Sequence, residues 1–148
     1  MTWTPPKAAA LYGVTVQALE NWIRDRLVPI IEQPGERTRR LDVRGLMAIG
    51  IIAALRRKGA SLASIEPLAE FLRKTTVADI LAAFARGETI LIAAGEQLQA
   101  RLIRPQTAVG NDCGFTIILA AIDLQHCYRT IALRMQPAPQ PSGAAANG

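Results

Sequence analysis

Gly13-Val14-Thr15-Val16-Gln17-Ala18-Leu19-Glu20-Asn21-Trp22-Ile23-Arg24-Asp25-Arg26-Leu27-Val28-Pro29 decides how the first half of the chain is read. Glycine enters the left-handed backbone region without steric cost, so Gly13 can end a preceding helix and turn the chain. Thr15 suits an N-cap, because its hydroxyl can accept a hydrogen bond from one of the unpaired amides of the next turn. Val16, Leu19, Ile23 and Leu27 follow at helical spacing, which predicts that they face a core. Gln17, Ala18, Asn21 and Arg24 fall on another face. Side-chain amides and a guanidinium placed there can hydrogen-bond base edges and phosphates, and a helix of this length fits a major groove. The pattern predicts a helix-turn-helix.

The segments on either side fit that reading. Pro5 and Pro6 suit the first turn of a helix through Leu11, where amide hydrogens have no intrahelical use, and Ala8, Ala9 and Leu11 are expected to pack beneath the second helix. Downstream, Ile30-Ile31-Glu32, a turn at Gln33-Pro34-Gly35-Glu36 and Arg37-Thr38-Arg39-Arg40-Leu41 predict a two-stranded hairpin with a basic return strand. Strand alternation puts Arg37 and Arg39 on one face and Arg40 on the other, which aims at least one arginine at a bound duplex backbone. Asp42 is a cap for a helix over 43–58 whose apolar body argues burial, and Arg56, Arg57 and Lys58 suit its carboxyl end. Gly59 stops that helix. Ser61 opens another through Lys74, with Leu62, Ile65, Leu68, Ala69 and Leu72 on one stripe.

Taken together, Trp3-Thr4-Pro5-Pro6-Lys7-Ala8-Ala9-Ala10-Leu11-Tyr12-Gly13-Val14-Thr15-Val16, Leu19, Leu27-Val28-Pro29, Thr38-Arg39-Arg40-Leu41-Asp42, Leu46 and Arg57-Lys58-Gly59-Ala60-Ser61-Leu62-Ala63-Ser64-Ile65 resemble the DNA-binding domain of MerR-type transcriptional regulators. The resemblance covers residues 2–74, and its pieces are specific in combination rather than singly. It implies a winged helix-turn-helix with the recognition helix over 15–26 and the wing over 30–41. Where that family usually has an arginine early in the recognition helix this chain has Gln17, and where it usually has two tyrosines it has Asn21 and Trp22. These departures bear on base preference more than on docking mode.

Charge is distributed accordingly. Residues 1–74 hold 12 Lys and Arg against 7 Asp and Glu, whereas residues 75–148 hold 5 against 5. The whole excess of +5 therefore lies in the half with the recognition pattern, as expected of a surface that displaces counterions from phosphates. Met1 to Lys7 contains two prolines and no apolar segment, so nothing there resembles an export signal. The longest apolar runs are too short to span a bilayer, and no membrane partner is expected. Two cysteines without an export signal point to reduced thiols, and the expected location is a bacterial cytoplasm, at the nucleoid.

Past Thr75-Thr76, the expected boundary, the pattern changes. A short helix over 77–86 ends at Gly87, with Ile80, Leu81 and Phe84 facing its partner. A strand over 89–93, a Gly95-Glu96 turn and a strand over 97–103 predict a hairpin, in which Leu98, Ala100 and Leu102 alternate with Gln97, Gln99 and Arg101. The apolar run over 115–121 predicts a buried strand, and Asp123 caps a helix bearing Leu124, Tyr128, Ile131 and Met135 on one side. Residues 136–148 are low in complexity and are expected to be disordered. The fold class is thus mainly α with a small α+β second half: a winged helix-turn-helix over 2–74, then a hairpin, strand and helix module over 75–135 for dimerisation or partner binding. The long dimerisation helix usual in the resembled family is absent.

Cys113, His126 and Cys127 suggest a metal site by residue type, but His126 and Cys127 are adjacent and diverge on a helix or strand, so no metal or other cofactor is expected. No nucleophile, base and oxyanion arrangement is present, and a single histidine offers little acid-base chemistry near neutral pH, so the chain does not read as an enzyme. The leading reading is a homodimeric transcriptional regulator of double-stranded DNA that binds an inverted repeat, with RNA polymerase or another protein as a further partner. Gln17, Ala18 and Asn21 read bases, Arg24, Arg37, Arg39, Arg40, Arg56, Arg57 and Lys58 anchor phosphates, and Thr15, at the cap of the recognition helix, counts among the DNA-binding residues. Two alternatives share the motif: an excisionase-like factor that bends DNA, and an autoregulatory antitoxin whose second half holds a protein.

Overall fold

The computed structural model describes residues 2–94, 99–105 and 118–135. They form a mainly helical molecule with one small sheet, in the order α1 (Pro5–Tyr12), α2 (Val16–Arg24), α3 (Val43–Arg57), α4 (Leu62–Lys74), α5 (Val77–Ala85), β1 (Ile90–Ala94), β2 (Gln99–Ile103), β3 (Ile118–Asp123) and α6 (Leu124–Met135).

Helix ends follow side-chain chemistry. Gly13 takes φ +64° after α1, and its amide closes onto the α1 carbonyls. The hydroxyl of Thr15 accepts from the amide of Ala18, and Asp42 Oδ1 accepts from the amides of Arg44 and Gly45. Ser61 and Thr76 cap α4 and α5 by the same device. Caps of this kind contribute about 0.5–2 kcal/mol each, which matters for α2 and α5, helices of nine residues that are marginal alone.

Burial selects among the expected core positions. Leu19 and Ile23 are buried as their spacing predicts, and Leu27 is buried although α2 ends at Arg24 and the chain turns at Arg26 before it, but Val16 is 45% exposed. Val16 is the first residue of α2, and the buried part of the stripe begins at Leu19. Likewise Leu81 is 40% exposed, and Ala83 takes the buried place beside Ile80 on α5. Within α4 the stripe of Ile65, Leu68, Ala69 and Leu72 is buried, with Leu62 half-buried, and Pro67 sits inside the helix.

The 30–41 segment is a correction to the expected two-stranded hairpin. A turn at Pro34 and Gly35 is present, but pairing is limited to single bridges, Ile31 with Arg40 and Trp3 with Leu41. Outside the Ile31–Arg40 bridge the segment is a loop, because its residues 32–39 are exposed and have no second apolar layer to pack on. Its base is fixed from beneath: a Cβ on Gly45 would lie 2.7 Å from Leu41 Cδ2 and 2.8 Å from the Pro29 carbonyl, so the start of α3 presses on both ends of the loop.

The sheet is antiparallel in the order β2-β1-β3, with Leu91 opposite Leu102 and Ile122. A register shift separates Ala93 and Ala94 in the β1–β3 pairing. The expected turn at 95–96, Leu98 and the start of the expected 115–121 strand lie outside the described residues. Ala121 is exposed on edge strand β3 rather than buried, while Leu124 and Ile131 of α6 are buried as their spacing predicts. One apolar core joins the two halves: Leu68 and Leu72 of α4, Met47 and Ile51 of α3, Leu91 of β1 and Ile131 of α6 belong to it. The expected tail at 136–148 also lies outside the described residues.

Candidate nucleic-acid interface

At 100° per residue, Gln17, Asn21 and Arg24 fall along one stripe of α2, opposite the buried Leu19 and Ile23. Gln17 and Arg24 are exposed and Asn21 half-buried. Gln17 Nε2 donates to Asn21 Oδ1 at 3.2 Å, which orders both amides one turn apart. Gln17 Oε1 is left as an acceptor and Asn21 Nδ2 as a donor, the complementary pair that an adenine edge satisfies in a major groove. Thr15, expected both as cap and among the DNA-binding residues, spends its oxygen on the cap, and Ala18 is half-buried beside Trp22.

The two sides of this stripe carry different charge arrangements. On one side Glu20 meets the 30–41 loop, where Arg39 Nη1 donates to Glu20 Oε2 at 2.7 Å. Arg40 lies 3.7 Å from Glu36 within the loop itself, and Arg37 makes no ion pair among the described residues. Between this loop, the end of α2 and helices α3 and α4 is a cleft of about 540 Å³, into which Arg24, Arg26, Arg39, Arg44 and Arg73 converge against Glu32. Arg73 Nη1 donates to the Arg26 carbonyl at 2.8 Å, and Arg44 is held by Asp42 at 2.8 Å and by the Thr75 carbonyl at 3.1 Å. These bonds tie the helices together, while Arg24 keeps only a loose 3.5 Å contact with the neighbouring Asp25.

On the other side, Ala18 and Trp22 of α2 face the end of α3 across a cleft of about 330 Å³ that Arg56 and Arg57 also line, with no acidic side chain on its walls. Both guanidiniums bond only to main-chain oxygens: Arg56 Nη1 to Ala60 at 3.1 Å, Arg57 Nε to Ala53 at 3.2 Å. Lys58 follows as the exposed C-cap. Main-chain carbonyls, of Ala53 in α3 and of Ala60 in the connection to α4, orient these cations without neutralising them, and a helix carboxyl end favours positive charge there.

The residues expected to act on DNA are therefore brought onto one surface, with α2 between two basic flanks. The expectation for the loop is altered in one respect: Arg39 and Arg40 are paired with carboxylates. Three further arginines of this surface, Arg26, Arg44 and Arg73, escape a reading of the sequence. Arg26 takes φ +61°, an unusual conformation for a side-chain-bearing residue, and no glycine or asparagine marks the spot. Arg73 reaches it across 47 residues, a contact without any local signal.

Away from this surface, His126 is exposed and Cys127 half-buried on α6, with burial pushing the thiol pKa up. Cys113 lies outside the described residues, and among the described residues no three metal-ligating side chains gather. No helix among them is long and apolar enough to cross a membrane. No protein-family model matches the chain, and no curated protein matches it.

Proposed function

We propose that the protein is a transcriptional regulator that binds double-stranded DNA in a sequence-specific manner and reads an inverted repeat as a homodimer. In this reading the chain is a divergent relative of the MerR-type regulators it resembles, α2 is the recognition helix and the 30–41 loop is the wing. The observation that carries it is the ordered Gln17–Asn21 amide pair on the exposed stripe of α2, flanked by Arg37 and Arg39 on one side and by Arg56, Arg57 and Lys58 on the other. Amides that present one donor and one acceptor read bases, while cations on both flanks contact the phosphates bordering a groove.

A single short helix reads few base pairs, so useful selectivity needs two copies on two half-sites. The second half offers the means: among the described residues β2 and β3 both remain edge strands, and Leu133 stands 68% exposed on α6. Fluorescence anisotropy of labelled duplexes tests the reading. Selection from a random pool is expected to recover an inverted repeat that binds at least 10³-fold more tightly than random duplex, the lower end of the usual specificity range. Light scattering is expected to give a dimer. Recovery of no common sequence would remove the sequence-specific reading and leave the architectural one.

A further inference from the structure

Next to the cleft beside Ala18 and Trp22, with which it shares Tyr12 and Arg57, a third cavity lies where α6 meets α1 and α3. It has a volume of about 530 Å³, and its walls come from the end of α1, the middle and end of α3 and one face of α6. Leu11, Met47 and Ala54 make part of it apolar. Its charged groups are of one sign: Arg57 and Arg134 carry positive charge and no carboxylate lines it, while Tyr12, His126, Cys127 and Thr130 supply the other polar atoms. Asp123, the last residue of β3, is engaged as the cap of α6 by the amide of His126 at 2.9 Å.

Several details make this a formed site rather than a gap between helices. The Tyr12 ring lies against Gly50, where an added Cβ would come within 2.9 Å of Cε1, so the glycine lets the ring seat on α3. Burial pushes the Tyr12 pKa up to about 12, which keeps the hydroxyl protonated as a donor. Arg134 Nη1 reaches back to the Leu11 carbonyl at 3.4 Å, holding its guanidinium at the rim, and Thr130 is fixed by the His126 carbonyl at 2.9 Å. Apolar walls with a few convergent polar groups, in a volume within the ~300–1,000 Å³ usual for small ligands, are the ordinary form of a small-molecule site.

We propose that this cavity binds a small organic carboxylate, with the apolar body against Leu11 and Met47 and the carboxylate between Arg57 and Arg134, and that the bound anion weakens the hold on DNA. The coupling follows from shared residues and rests on the DNA-binding reading above. Tyr12 and Arg57 line both this cavity and the cleft beside Ala18 and Trp22. A carboxylate that pairs with Arg57 neutralises a cation of the phosphate-facing flank. It also braces Tyr12, the residue before the Gly13 turn that leads into α2. By linkage, DNA must then weaken the carboxylate by the same factor.

The two parts are tested separately. Without DNA, the full chain is titrated with benzoate, indole-3-acetate and octanoate, and with the neutral amide of each, by calorimetry and by the shift in unfolding temperature. At least one acid is expected to bind at least tenfold more tightly than its amide. Arg134→Gln is expected to remove that preference and Arg134→Lys to keep most of it. Arg134 lies outside the DNA-facing residues, so random-duplex affinity of Arg134→Gln is expected to stay within twofold of the unaltered protein. Equal binding of acids and amides, no binding by any of them, or a preference that survives Arg134→Gln would overturn the site. With duplex present, the same acid is expected to lower DNA affinity several-fold, less so in Arg134→Gln. Acid binding without any effect on DNA affinity would overturn the coupling and leave the site intact, whereas absence of DNA binding under all conditions would count against the regulator reading alone.

Discussion

The two basic flanks of α2 carry similar numbers of cations but hold them differently. In the 30–41 loop, Arg39 and Arg40 are balanced by Glu20 and Glu36, whereas at the end of α3 the guanidiniums of Arg56 and Arg57 are held by carbonyl oxygens alone. An exposed ion pair is worth only about 0–1 kcal/mol to the fold, but it must be exchanged before either partner can serve another charge. The α3 end is thus a fixed source of positive potential, and in the proposed DNA-binding reading the loop is a conditional one, available once a phosphate displaces Glu20. Sequence-level charge counting treats the flanks as equal, and geometry separates them.

The largest effect should come from removing the fixed flank. Replacing Arg56, Arg57 and Lys58 together with glutamine is expected to lower the log-log salt slope of duplex binding by about 2 to 3 units, as loss of three phosphate contacts would. If the slope stays unchanged, the end of α3 is not at the interface and the distinction between the flanks collapses.

Asn21→Ala removes the acceptor of the Gln17–Asn21 hydrogen bond and, with it, the free Nδ2 donor that the pair presents between the flanks. Discrimination at one position of each half-site is expected to fall by roughly 1 to 3 kcal/mol, with random-duplex affinity nearly constant. An equal loss on cognate and random duplexes would show that the stripe contributes charge geometry rather than base reading.

The conditional flank predicts effects of opposite sign in its two partners. Arg39→Ala is expected to weaken binding to all duplexes alike and lower the salt slope by about one unit. Glu20→Gln, which frees Arg39 and removes a negative charge beside the groove, is expected to strengthen binding several-fold with little change in sequence preference. Weaker binding in Glu20→Gln would mean that the ion pair positions Arg39 rather than restraining it.

Arg44 is the control for this comparison, since it lines the same cleft as Arg39 yet is held by Asp42 and the Thr75 carbonyl between α3 and α5. Arg44→Gln is expected to leave duplex affinity within twofold and to reduce unfolding free energy by about 1 to 3 kcal/mol, the cost of leaving partly buried charged partners unpaired. Chemical denaturation and anisotropy on one preparation separate these outcomes. A large loss of DNA affinity in a stably folded variant would move Arg44 into the interface.

What was legible in the sequence was local. The αL turn at Gly13 and the caps at Thr15, Asp42 and Ser61 each act within a few residues, so residue identity and spacing disclose them. The mainly helical class with a small antiparallel sheet was legible for the same reason. What was hidden depends on distant partners. The 30–41 segment has the composition of a hairpin, but its pairing stops at one bridge because no apolar layer supports its outer part. Val16 and Leu81 fit a helical period yet point away from the core, since period gives a stripe without giving its edges. The bond from Arg39 to Glu20 and that from Arg73 to the Arg26 carbonyl cross 19 and 47 residues, and nothing local distinguishes those arginines from solvated ones.

The most direct measurement is residue-resolved NMR of the full chain titrated with duplex DNA, following backbone amides and the side-chain amides of Gln17 and Asn21. The account predicts the largest changes at Gln17, Asn21 and Arg24, at Arg37 and Arg39, and at 56–58, with β1, β2 and the outer face of α6 little affected. Changes centred on the sheet or α6, or none at all at low salt, would contradict the assignment of α2 and its two flanks as the DNA-binding surface.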